Sequence, residues 1–272
     1  MIERNHRYGN LVFDRDAIVR AALRAYVEGA FAGVARFGFP ACDMPGWTGD
    51  LQRGAFYNGG GCGDYNVVGW TEAGVVGLAY ELGFGPIEWL DLPVSAVTGG
   101  PDDVRGALPE LPTELTPALV LAAGMLEVGP NHGERQAGVG FWLHGDSVAG
   151  TLFDDPADAG ARYLAMWGML QGGRLPSRTS RYTSPETRAA LAESARRDAP
   201  IQALMDTVVN RRLGGPTEFT TEEIEMLLPT PPDPQRLLGV QRMLQKVGIT
   251  WPGSPEIPEP PPRTGRDPFQ RS

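Results

Sequence analysis

"YNVVGWTEAGVVGLAYEL", residues 65–82, decides the fold. Two apolar runs, Asn66 to Thr71 and Val75 to Glu81, flank Glu72-Ala73-Gly74. A short glycine-containing loop between β-rich runs reads as a hairpin. A helix over Thr71 to Leu82 is the competing reading. Val75-Val76, Gly74 and Gly77 favour strands, because branched side chains and glycine both lose more on entering a helix than a strand of this kind.

Upstream, "YNGGGCGDYN" (57–66) is a glycine-rich loop leading into that hairpin. It lacks the lysine and the following helix of a phosphate-binding loop. Residues 41–64 as a whole read as loop, with Trp47 as anchor. Before them, residues 14–37 form the strongest helical pattern. Asp14 or Asp16 can cap it, and Val19, Leu23, Tyr26, Val27, Phe31 and Val34 make one apolar stripe.

Downstream, "TPALVLAAGMLEV" (116–128) reads as a helix with Thr116 as cap and Pro117 at its first position. A second hairpin is expected from Val139–His144 and Ser147–Phe153 around Gly145-Asp146, and a helix after Asp155-Pro156. The two hairpins share a Val-Gly-Trp-like arm and a glycine turn. That echo reads either as a weak duplication or as the common look of neighbouring strands. Composition changes after Gly172-Gly173. Residues 185–247 look all-helical, in four short amphipathic segments, with a capping signal at Thr220 to Glu223. Residues 249–272 are proline-rich and polar and read as a flexible tail. The expected organisation is an α+β core over 1–175, helices packed on it over 176–248, and the tail. Its sheet is mostly antiparallel and flanked by helices.

Several function classes fit the composition poorly. The chain of 272 residues has 33 acidic and 24 basic residues, a net charge of −9, and almost no lysine. No basic run exceeds a dipeptide, which disfavours general nucleic-acid binding. No apolar run reaches membrane-span length, and no signal-peptide pattern follows the first residues, so a cytoplasmic protein is expected. No metal-ligand spacing and no cofactor motif appear. Cys42 and Cys62 do not make a disulfide framework by themselves. A cysteine nucleophile needs a nearby base. That leaves one enzymatic alternative, a hydrolase or transferase using Cys62 with His132 or His144. Adjacent acidic pairs such as Asp102-Asp103 and Asp154-Asp155 do not make catalytic dyads by adjacency alone.

Aromatic and acidic residues around the first hairpin fit a protein-binding surface better. Gly63-Asp64-Tyr65, an apolar strand, a short turn and a second strand ending in Tyr80-Glu81 resemble the SUKH superfamily over about residues 10–95. Members of it are often immunity proteins of bacterial toxin systems. The resemblance implies a non-enzymatic protein that binds and neutralises a toxin, with no catalytic residues to carry over. The acidic charge suits a basic toxin. The expected partner-contacting residues are Asp64, Tyr65, Glu72, Glu81, Glu88 and Trp89. A structural component of a larger assembly, tethered by its proline-rich end, is the remaining alternative.

Overall fold

A computed structural model describes residues 2–6, 9–32, 34–35, 44–59, 65–80, 104–126, 139–153, 185–228 and 233–254. The protein is α+β. Its centre is a six-stranded antiparallel sheet in the order β3 (Met44–Gly49), β4 (Gly54–Gly59), β5 (Tyr65–Thr71), β6 (Gly74–Tyr80), β7 (Val139–His144) and β8 (Ser147–Ala149). A separate hairpin of β1 (Ile2–His6) and β2 (Gly9–Phe13) precedes it. No described helix is long and apolar enough to cross a membrane.

The hairpin at residues 65–80 is as the sequence suggests. Glu72-Ala73 make the turn, and Gly74 adopts φ 147°, a conformation that disfavours any side chain. The second hairpin turns at Gly145-Asp146, with β6 paired to β7, so the two similar hairpins are neighbours in one sheet. Its second arm is shorter than expected. β8 ends at Ala149 and a 3-10 turn, Thr151–Phe153, follows. The Thr151 hydroxyl accepts from the Gly140 N–H at 3.0 Å and donates to the Ala107 carbonyl at 2.9 Å, finishing this edge of the sheet.

Residues 41–64 are not simply a loop. Residues 44–49 and 54–59 form β3 and β4, joined by a tight turn over 50–53. Pro45 and several glycines hide the pair from propensity reasoning. Pro45 is tolerated because β3 is an end strand of the sheet, with only β4 beside it in the ladder. Trp47 anchors this pair as expected. Its ring lies 5.0 Å from that of Trp70 and 5.5 Å from that of Tyr26.

Helices cover both faces of the sheet. α1 (Arg15–Ala30) is capped by Asp14, whose carboxylate accepts from the Asp16 and Ala17 N–H groups at 3.1 Å each. It ends at Ala30, earlier than its apolar stripe suggests. α1 packs with Phe56, Val68, Trp70, Val75 and Phe141 on one face. α2 (Thr116–Met125) covers Val67, Val76, Leu78 and Trp142 on the other. Thr116 is the first residue of α2 and not its cap, because a 3-10 turn over Thr113–Leu115 leads into it.

The C-terminal helices pack on the outer side of α1. α3 (Pro185–Leu213) is one helix running through Pro200, where two were expected. Leu204, Met205, Val208 and Val209 join the α1-side core, and that burial outweighs one lost backbone hydrogen bond. α4 (Thr221–Leu227) opens with the capping box read from Thr220 and Glu223. α5 (Pro234–Lys246) is capped by Asp233. Residues 249–251, assigned by sequence to the tail, belong to the folded body. β10 (Ile249–Thr250) pairs in parallel with β9 (Thr217–Glu218), and Ile249 and Trp251 are buried.

Because α1 is covered on two sides, it carries a buried ion pair. Arg24 donates to Glu28 at 2.6 Å, to Asp206 of α3 at 2.7 Å and to Gln202. Breaking such a pair from one side costs about 3–5 kcal/mol. Arg24→Met is therefore expected to lower the unfolding free energy by about that amount, read from a urea titration. A second test concerns the seat of α2. A Cβ on Gly69 would lie 2.3 Å from the Ala118 carbonyl oxygen. Gly69→Ala must push α2 off the sheet, and overpacking of this kind costs about 1–3 kcal/mol. An unchanged urea midpoint would show that α2 does not sit there.

Candidate functional site

With helices over both faces, the sheet's two ends and its turns are where polar side chains can gather. At one end lie Met44, Gly59, Tyr65, Tyr80 and Val139. At the other lie the turns at 50–53, 72–73 and 145–146.

The turn end is tightly built. The Asp50 carboxylate accepts from the Gln52 and Arg53 N–H groups at 2.7 and 2.8 Å, and its carbonyl accepts from the Trp70 indole at 2.9 Å. Arg15, from the first turn of α1, donates to the carbonyls of Thr71 (2.7 Å), Leu51 (3.1 Å) and Gln52 (2.7 Å). One guanidinium thus ties two turns to a helix start. On the far side, the His144 ring places Nδ1 2.9 Å from the Ala73 carbonyl. A carbonyl only accepts, so Nδ1 carries a proton there.

Carboxylates crowd this end. Asp16, Asp50, Glu72 and Asp146 are all exposed. Glu114 is exposed in the 3-10 turn beside Leu115, whose side chain reaches Gly74. Near β3 and β4 the charges are mixed. Arg15 contacts Asp16 at 2.6 Å, and Arg212 and Arg15 act on Asp50 from a distance. Around β5 to β8 the exposed charges named above are Glu72, Glu114 and Asp146. No three His, Cys, Asp or Glu side chains among the described residues come close enough to hold a metal ion. Acidic groups spread this way suit a large basic surface better than a single cation.

Comparison of the chain with protein-family models, with curated proteins and with solved structures finds no match. The chemistry therefore rests on the residues alone.

Glu72 sits at the tip of the first hairpin, at the turn end. Tyr65 begins β5 at the opposite end, paired to Tyr80 and Gly59. The seven residues of β5, about 20 Å at roughly 3.3 Å per residue, separate the two. Asp64, Glu81, Glu88 and Trp89 lie outside the described residues, as do Cys42, Cys62 and His132. His144 shares the turn end with Glu72, whereas Gly59 and Tyr65, the strand ends flanking residues 60–64, are at the other. Trp70 and Trp142 are core residues.

Sequence reasoning missed Asp16, Asp50, Glu114 and Asp146 as exposed carboxylates of the turn end that holds Glu72. Asp146 and Glu72 both lie in two-residue hairpin turns, Glu72 first in its turn and Asp146 second in its own, and that was the available signal. Asp50 required knowing that residues 44–59 are a hairpin.

Three carboxyls are held below their ordinary range; for Glu222 the causes are its own backbone N–H and then the Thr220 hydroxyl. For Asp50 the causes are the Arg53 and then the Gln52 backbone N–H bonds. For Glu223 the main cause is Arg211, which grips both its oxygens at 2.7 Å. A depressed folded-state value stabilises the fold above the ordinary carboxyl range near pH 4, and that stability is lost as pH falls through the folded value. The melting temperature should therefore fall as pH drops below about 4. Glu223→Gln should melt lower at pH 7 and show a shallower acid limb. An acid limb identical to that of the parent would contradict this assignment.

Proposed function

We propose that the protein is a non-enzymatic, immunity-like binding protein of the cytoplasm that holds a basic partner protein, of toxin type, against the acidic turn end of its sheet. One observation carries the reading: Glu72, Glu114 and Asp146 are exposed around two adjacent hairpin turns, while several arginines are turned inward. Arg15 is spent mainly on carbonyls, Arg24 is buried between helices, and Arg212 donates to the Val247 carbonyl. The net charge of the chain is −9. A negative field on rigid turns accelerates encounter with a cationic protein, and pre-formed turns cost little ordering on binding.

The enzymatic alternative rests on Cys62 with His132 or His144; of these only His144 is among the described residues, where its Nδ1 is engaged with the Ala73 carbonyl.

The test is co-purification of the full chain with proteins encoded by adjacent genes, followed by association kinetics. Glu72→Gln, Glu114→Gln and Asp146→Asn together remove three negative charges, taking −9 to −6. This variant should associate about tenfold more slowly at low salt, with the difference shrinking at high salt. Recovery of no basic partner, or kinetics indifferent to both the substitutions and salt, would sink the proposal.

A further inference from the structure

The opposite end of the sheet holds an unusual pair. Asn58 and Asn66 are fully buried and directly opposite one another on β4 and β5. They alternate in step with Phe56, Val68 and Trp70, so they belong to the face covered by α1. Neither amide atom of Asn66, neither Nδ2 nor Oδ1, has a hydrogen-bond partner within the protein. An amide buried without partners is costly, a large share of a domain's small net stability.

Three observations limit what can satisfy it. The site is closed to solvent, which excludes a ligand of any size entering from outside. Directly opposed residues in an antiparallel pair have Cβ atoms about 4.5–5.5 Å apart, near enough for one small molecule to span their side chains. On its other side Asn66 faces Ala79, the smallest apolar side chain. A water molecule fits these limits. It can accept from the Asn66 Nδ2–H and donate to a carbonyl oxygen, and buried waters commonly make about three such bonds. The Asn58 Oδ1 has two lone pairs, so it can accept from this water whatever else the residue contacts.

We propose that the Asn58–Asn66 pair is a binding site for an internal, long-lived water that bridges β4 and β5. Such a bridge also pins the register of the two strands. A slip of one residue would carry Asn66 to the α2 face and leave Val67 in its place.

The experiment uses the full chain, labelled with 15N and deuterated at carbon. The Asn66 side-chain NH2 signals are assigned by their loss in Asn66→Leu, or in Asn66→Ser should the leucine variant not fold. The parent should show cross-peaks from this NH2 to water with opposite signs in NOE and ROE spectra, the signature of a water that stays longer than the molecule tumbles. Absence of any water cross-peak on the assigned NH2 overturns the proposal. A double-mutant cycle gives an independent reading. With a shared water, Asn58→Leu plus Asn66→Leu should lower the melting temperature by less than the two single changes summed. Strict additivity would also overturn it.

Discussion

Strands β5 and β6 are buried on both faces, and most other features follow from that constraint. A strand with one wet face alternates apolar and polar residues. Here Val67, Val76 and Leu78 face α2 while Val68, Trp70, Val75 and Ala79 face the α1 side, so the runs read as nearly continuous apolar sequence. Close approach is needed on both sides. Gly69 supplies it for α2, whose backbone would collide with any side chain there. On the α1 side, the rings of Trp47, Phe56 and Trp70 fill the gap between helix and sheet. Polar groups trapped inside these layers must find partners. Arg24 does so with Glu28 within α1 and with Asp206 of α3, and Asn66 sets the same requirement at the sheet's far end.

This layering also dictates where a partner can be met. Among the described residues both faces of the sheet are covered by helices, so exposed polar side chains gather at the ends, the turns and the outer helices. The turn end is the better organised of the two ends. Arg15, Asp50 and His144 each fix a turn by hydrogen bonds to backbone groups, and the carboxylates project from a frame that barely needs to order itself. Such a frame is suited to holding a charged surface in register. The described carboxylates are too dispersed to focus on one ion, so they act as a field.

Some of this was legible in the residues. The hairpin at 65–80 followed from a glycine turn between β-rich runs, the start of α1 from Asp14, and the start of α4 from the capping box. Glu72 was recognised as a surface residue, but its companions were not. Residues 44–59 looked like loop because Pro45 and the glycines disfavour strands locally, and only pairing with β5 makes them strands. Pro200 suggested a break, yet α3 continues because the residues after it are buried against α1. Ile249 and Trp251 looked like the beginning of a tail until β9 and the core claimed them. Asn58 and Asn66 gave no signal at all, since nothing local distinguishes a buried asparagine from one in a turn.

The sequence by itself determined the turns, the caps and the α+β class. Each depends on residues a few positions apart, whose backbone preferences act without help from the rest of the chain. The tertiary structure alone decided which strands flank which, that both faces of the sheet are covered, and that Glu72 and Tyr65 stand at opposite ends of one strand. Those outcomes depend on contacts between residues far apart in the chain. Local propensity is blind to such contacts, and the free energy of burial overrides it.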